Sequence, residues 1–281
     1  MHTIETQKDL KIFLDPLRDS KSIGLVPTMG ALHQGHLALV KKALTENDQV
    51  VVSIFVNPTQ FDNLEDLKKY PNTLEADKNL LRGVSEDIVI FAPSVTEMYP
   101  DKTEAKVYDF DGLDQVMEGA HRDGHFDGVG TIVEHLLRLV MPDKAYFGEK
   151  DFQQLQIIKK LVSQQELPIE IIGCPIVREA NGLAMSSRNS RLSKEMRQEA
   201  SHIYNTLQTA KKEFGTKNVL SITEWVKSQF DPKAGFDLEY VTIVDTENLL
   251  EVEDIKPERK YRIFIAVYVE GVRLIDNIAL N

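Results

Sequence analysis

Short runs of β-branched residues alternate with helix-patterned stretches through the first part of the chain. This alternation limits the fold more than any other feature. Ile23-Gly24-Leu25-Val26, Val50-Val51-Val52-Ser53-Ile54-Phe55-Val56 and Asp87-Ile88-Val89-Ile90-Phe91 read as strands, followed by 144–148 and 169–173. Helical spacing occupies 37–44, 73–81, 131–140 and 152–162. Strands that are apolar almost without a break are buried on both faces, and helical crossovers between them imply a parallel sheet. The expected class is therefore α/β: a Rossmann-like parallel sheet with helices on both faces, spanning 1–176. In such sheets ligands bind beyond the carboxyl ends of the strands. The turns starting at Pro27, Asn57 and Gly148 each follow a strand, so all three open on one edge.

After about Ile176 the pattern changes. A loop containing Gly182, Ser186, Ser187 and Asn189 leads to a long helical stretch over 193–214 and a second over 221–230. Antiparallel-looking strands follow at 237–244, 261–269 and 272–279, with Glu270-Gly271 as a tight turn. Residues 177–281 thus read as a smaller α+β domain covering the nucleotide site proposed next.

That site is Pro27-Thr28-Met29-Gly30-Ala31-Leu32-His33-Gln34-Gly35-His36. The strand ends in a small-residue turn and a helix begins where two imidazoles stand three positions apart. A helix N-terminus presents unpaired N–H groups and the positive end of a dipole, which suit phosphate. Residues three apart share a helix side, so a two-ligand metal face is an alternative, although no carboxylate or further His lies close by in sequence. Ordinary capping histidines are another.

Three further segments carry chemistry. Gly148-Glu149-Lys150-Asp151 puts a cation and a carboxylate at a strand-to-helix boundary, suited to phosphate and magnesium; Asp151 could equally be an N-cap. Met185-Ser186-Ser187-Arg188 offers two hydroxyls and a guanidinium on a mobile-looking loop, groups that stabilise charge on a phosphoryl group in transfer. The alternative there is a domain-joining loop whose Ser193 caps the next helix. Asn57-Pro58-Thr59-Gln60-Phe61 and Gln154 supply neutral amides for a polyol or carboxylate substrate. The Gly-, His- and Asp-rich stretch 118–129 matches no closed zinc spacing and reads as a structured loop near the site.

The 281 residues carry a formal charge of −11 with scattered Lys and Arg, which argues against a nucleic-acid surface. No window approaches a membrane span, and the N-terminus lacks a secretory pattern. The single cysteine, Cys174, sits in an apolar run, fits a reducing cytoplasm and reads as a buried inert thiol.

Together these motifs closely resemble pantothenate synthetase, also called pantoate–β-alanine ligase. The matching stretches are 27–36, 57–61, Tyr70-Pro71, 147–154 and 177–189, in order along nearly the whole chain. His-x-Gly-His alone is shared by many nucleotidyltransferases; its combination with Gly-Glu-Lys-Asp and Met-Ser-Ser-Arg-Asn is far more specific. Asn181 departs from an expected aspartate, and Asp123 from a commoner proline.

The resemblance implies ATP-dependent condensation of pantoate with β-alanine through a pantoyl adenylate, releasing pyrophosphate and then AMP. It implies that Met29, Gly30, Ala31, Leu32, His33, Gln34, Gly35 and His36 bind ATP, with His36 as proton donor and His33 supporting the phosphates. Gly148, Glu149, Lys150 and Asp151 form the second ATP segment, where Lys150 neutralises phosphate charge. Val177, Met185, Ser186, Ser187 and Arg188 form the third, with Arg188 among the catalytic groups. Gln60 and Gln154 hold pantoate, Gln60 also lying near β-alanine. Mg²⁺ arrives with ATP; no protein ligand is assigned, and Asp77 and Asp151 are candidates. A cytoplasmic homodimer is implied. A nucleotidyltransferase that keeps the nucleotide in its product, or a non-enzymatic nucleotide sensor, would share the first motif.

Overall fold

The structure is a computed structural model that describes residues 1–230 and 235–281. By chain contacts it divides into two units. The first comprises Met1–Glu149 with Gln153–Pro175, and the second Lys150–Phe152 with Ile176–Asn281.

The first unit holds six strands: β1 (His2–Ile4), β2 (Ile23–Thr28), β3 (Gln49–Ile54), β4 (Val89–Phe91), β5 (Lys144–Gly148) and β6 (Glu170–Cys174). Their order is β1-β4-β3-β2-β5-β6, and every pairing is parallel. Helices α1 (Gln7–Leu14), α2 (Gln34–Glu46), α3 (Leu64–Lys69), α4 (Leu74–Arg82), α5 (Val95–Met98), α6 (Met117–His121), α7 (His125–Val140) and α8 (Phe152–Gln164) connect them. Crossovers between parallel strands are right-handed. The chain moves one way along the sheet from β2 to β3 and the other way from β4 to β5. The hand therefore puts α2 on one face and α7, against which α1 packs, on the other. Val50, Val51 and Val52 on β3 are all inaccessible to water, as a strand covered on both faces requires.

The sheet reverses direction between β2 and β5, the switch point at which open α/β sheets bind ligands. Register makes that edge level. Thr28 pairs with Ile54, and Leu25 with Ala145, so three residues on Gly148 stands beside Thr28. The loops after β2, β3 and β5 thus begin at one height.

The second unit is an antiparallel sheet of β7 (Phe236–Asp245), β8 (Tyr261–Val269) and β9 (Val272–Ala279), with α9 (Lys194–Glu199), α10 (Ser201–Glu213) and α11 (Val219–Ser228). Alternate residues of β8, from Tyr261 through Ile263 and Ile265 to Val269, meet Ile203, Leu207, Ile222 and Val226 of the helices in one apolar core. Glu270 and Gly271 have φ of 49° and 73° and close a two-residue hairpin, the conformation whose twist matches the flanking strands.

Several local expectations change. The edge strand β1 and helix α1 have no counterpart in the sequence reading; β1, with three residues, is too short to display a period. Residues 118–129 are not chiefly loop: α6 and α7 occupy most of the stretch, joined through Gly124 at φ 68°. Gly119 and Gly128 serve close packing. A Cβ on Gly128 would lie 2.3 Å from the carbonyl oxygen of Thr59, so only glycine lets α7 press on the turn after β3. The single helix expected over 193–214 is broken at Ala200, a fully buried residue that ends α9 and starts α10. Neither Gly nor Pro marks the break.

Candidate active site

In the first unit the site starts where β2 ends. Gly30 and Ala31 both take positive φ, 80° and 50°, and turn the chain sharply. Such a turn exposes backbone donors, and one buried acid collects two of them. Asp77 of α4 accepts from the N–H of Ala31 at 3.0 Å and from that of Leu32 at 2.8 Å. Thr73 stands at the N-cap position of α4 without capping it; its hydroxyl donates to Asp77 at 3.2 Å instead. Asp77, considered as a magnesium ligand from sequence, has both carboxylate oxygens committed to this turn.

Helix α2 then opens with its two histidines as reciprocal caps. His33 is the N-cap residue, and its Nδ1 accepts from the N–H of Gly35 at 3.1 Å. Nδ1 of His36 accepts from the N–H of His33 at 3.3 Å. The rings lie 4.1 Å apart. This is a capping box with imidazole in both roles. It also assigns the tautomers. An Nδ1 that accepts a backbone N–H carries no proton, so in each neutral ring the proton is on Nε2. Both rings are therefore hydrogen-bond donors at the end of a helix whose first turn holds no acid.

The turn after β3 presents Gln60, and its amide is oriented by a chain of partners. Asn57, almost wholly buried, donates through Nδ2 to Oε1 of Gln60 at 3.1 Å and to the carbonyl of Gly128 at 3.0 Å. Its Oδ1 accepts from the hydroxyls of Tyr99 at 2.7 Å and Thr59 at 3.1 Å. Burial pushes the Tyr99 phenol up, which keeps it a donor. With Oε1 occupied, Gln60 turns its NH₂ group toward Met29 and donates to its sulfur at 3.1 Å. His125 fixes the backbone of the same residue. Arg122 can only donate to its Nε2, at 3.1 Å, so the ring proton is on Nδ1, which donates to the carbonyl of Gln60 at 2.8 Å.

Gln153 and Gln154 have opposite fates. Gln153 is buried and saturated: it accepts from the N–H of Glu118 at 3.0 Å and donates to the carbonyls of Leu113 and Val116 at 2.8 and 2.7 Å. Gln154 is half-buried, and its amide makes no hydrogen bond among the described residues.

In the second unit, the Lys150 side chain is mostly buried, with Nζ 3.6 Å from the half-exposed carboxylate of Asp151. Val177 and Met185 are joined by a backbone hydrogen bond of 3.0 Å, and Arg178 and Ala184 form a bridge between them. Ser186 caps the short helical turn Ser187–Arg191, accepting from the N–H of Arg188 at 3.2 Å. Met185 thus closes a hydrogen-bonded hairpin, and Ser186, Ser187 and Arg188 open a helical turn rather than an irregular loop. Ser193 does cap α9, accepting from the N–H of Met196 at 3.2 Å.

Across residues 2–279 the chain matches the family model described as Pantoate-beta-alanine ligase. The chain belongs to that family. It is 55% identical over its whole length to the pantothenate synthetase of Flavobacterium psychrophilum, of which it covers 100%. Among solved structures, that of pantothenate synthetase from Thermus thermophilus superposes with a TM-score of 0.92 at 40% identity, covering 100% of this chain and 99% of that one. Pantoate-beta-alanine ligase from Francisella tularensis, solved with beta-gamma ATP and beta-alanine, gives 0.83 at 37% identity, covering 100% and 98%.

In this member of the ligase family, Met29 through His36, Gln60 and Gln154 all belong to the first unit. Lys150, Asp151, Val177 and Met185 through Arg188 belong to the second, while Gly148 and Glu149 end the first unit's β5 segment. Residues 150–152 therefore group apart from 1–149, unlike the division at 176 expected from sequence. Sequence inspection passed over Asp276 and Asn277. A usable signal existed: Val272, Leu274, Asp276 and Ile278 share one face of β9, so a charge interrupts an apolar alternation.

Proposed function

We propose that His33 and His36 at the start of α2 carry the first half of the reaction together with Lys150. The chain is an ATP-dependent ligase that joins pantoate to β-alanine. A carboxylate does not acylate an amine directly, because oxide is a poor leaving group, so the acid must first be activated. A pantoate carboxylate oxygen attacks the α-phosphorus of ATP. The bond to the bridging oxygen breaks, and pyrophosphate leaves with the electron pair. Positive groups and oriented donors lower this barrier by stabilising charge that builds on the phosphates. His36 is the proton donor through Nε2, and His33 supports the neighbouring phosphate oxygens. Lys150, Ser186, Ser187 and Arg188 balance the charge of the departing pyrophosphate. Gln60 offers N–H donors, and Gln154 its amide, to pantoate. The neutral amine of β-alanine then attacks the acyl carbon. AMP leaves with the electron pair of the broken C–O bond, and the new amide nitrogen loses a proton.

The observation that carries this reading is the reciprocal cap, which makes both imidazoles Nε2–H donors at a helix N-terminus beside the sheet's switch point. ATP enters as its magnesium complex.

A cytoplasmic homodimer is part of the proposal. Val107, 89% exposed, lies on a segment outside the helices and strands whose Lys106 and Tyr108 N–H groups donate to Thr131 and Asp127. The Val107 side chain and its backbone, which makes no hydrogen bond among the described residues, are the proposed contact for a second copy. Sedimentation of wild type and Val107→Lys tests it: dimer and monomer respectively are expected.

The deciding assay is pyrophosphate release with ATP and pantoate present and amine absent. Release is expected, with AMP appearing only after β-alanine is added. A stable nucleotidylated product would overturn the adenylate route.

A further inference from the structure

Asp276 and Asn277 are adjacent on β9 and almost wholly buried. Successive residues of a strand project to opposite faces, so one pair can serve two different elements. On the face packed against α10, Asp276 receives Arg178 through two hydrogen bonds, at 2.6 and 2.9 Å. The same guanidinium stacks on Tyr204 of α10 with its carbon 3.7 Å from the ring centre, and donates to the carbonyl of Gly182 at 3.1 Å. Asp276 thereby anchors the hairpin that leads from Val177 to Met185. Asp276 Oδ1 also accepts the N–H of Asn277 at 2.7 Å, which ties the two residues together.

On the opposite face, Asn277 donates through Nδ2 to the carbonyl oxygen of Lys150 at 2.9 Å. Its Oδ1 accepts from Arg262 of β8. The Arg262 guanidinium lies 4.2 Å from the ring centre of Phe152, and that ring meets Phe264 at 5.9 Å. Residues 150–152 are gripped by backbone, cation and ring contacts from one face of the small sheet. This is the physical reason that they group with the second unit.

We infer that Asn277 is a positioning residue for Lys150, and that the Asp276–Asn277 pair holds Lys150 and the Met185–Arg188 segment in a fixed mutual arrangement. The inference rests on the proposed role of Lys150 in adenylate formation. Arg178 acts through Asp276 and need not touch the nucleotide. Misplacing a charge-stabilising group by about 1 Å can cost about 10²-fold in rate.

The test is a double-mutant cycle on the full-length enzyme, read as single-turnover pyrophosphate release with pantoate and without amine. The variant is Asn277→Asp, because a carboxylate still accepts from Arg262 but cannot donate to the Lys150 carbonyl. Unchanged melting of Asn277→Asp shows that the sheet persists; if it melts early, Asn277→Ser, smaller and without added charge, takes its place. Asn277→Asp is expected to lose about 10²-fold in release, with KM for pantoate unchanged. In the Lys150→Ala background the same substitution is expected to cost less than threefold. Equal losses in the two backgrounds, or no loss in either, would overturn the inference while an impaired Lys150→Ala left the proposed function standing. An unimpaired Lys150→Ala would overturn both.

Discussion

Asp77 and Leu32 are separated by 45 residues and joined by a hydrogen bond of 2.8 Å. With its partner bond to Ala31, this contact turns a buried carboxylate into the clasp of the turn after β2, the segment proposed to bind phosphate. Asp77→Asn keeps one acceptor and sets an NH₂ group against a backbone N–H. A loss of about 1–3 kcal/mol in stability is expected, the cost of a buried polar group left unpaired. Urea unfolding measures it. Pyrophosphate release should fall as well, since the turn positions His33.

His36 caps α2 and is the proposed proton donor, and one substitution separates the two roles. Glutamine at the third helical position can reach back to the N-cap N–H, so His36→Gln should preserve α2. It lacks the Nε2–H of imidazole. Melting close to wild type with adenylate formation reduced about 10²-fold is expected. Single-turnover assays that found adenylate formation intact would reassign the residue.

The neighbouring glutamines of α8 should behave differently. Gln153→Ala removes three interior hydrogen bonds, to the Glu118 N–H and to the Leu113 and Val116 carbonyls, so it is expected to lower stability by about 1–3 kcal/mol. Gln154→Ala removes no protein hydrogen bond among the described residues. It should melt like wild type and raise KM for pantoate more than KM for ATP. Thermal unfolding beside steady-state kinetics distinguishes the pair.

Acid should destabilise the first unit through Glu134 on α7. Burial opposes its charge, but hydrogen bonds from Tyr108, Lys106 and Arg138 outweigh burial and hold the carboxyl at about 2, below the usual 4.5. A carboxylate with a lowered folded-state value contributes stability above its unfolded value. That contribution is lost as pH falls from 4.5 toward 2. On the order of 2–3 kcal/mol is at stake. Denaturant midpoints should separate wild type from Glu134→Gln at pH 7 and converge toward pH 2; a gap that stayed constant with pH would remove Glu134 as the cause.

What the chain encodes locally was readable from its order of residues. The Val- and Ile-rich runs of β2, β3 and β4 imply a parallel sheet because uninterrupted apolar strands must be covered on both faces. The motif from Met29 to His36, with Gly-Glu-Lys-Asp and Met-Ser-Ser-Arg, pointed to the family because each is a contiguous stretch with its own spacing. Three-dimensional contact decided the rest. Asp77 became a clasp on Ala31 and Leu32, and Gln153 rather than Gln154 became the buried amide. Residues 150–152 joined the second unit through Asn277, more than a hundred positions away. Hydrogen bonds and ring contacts between distant residues leave no period in a sequence. They exist only once the strands are in register and the helices are packed, which is why folding was needed to reveal them.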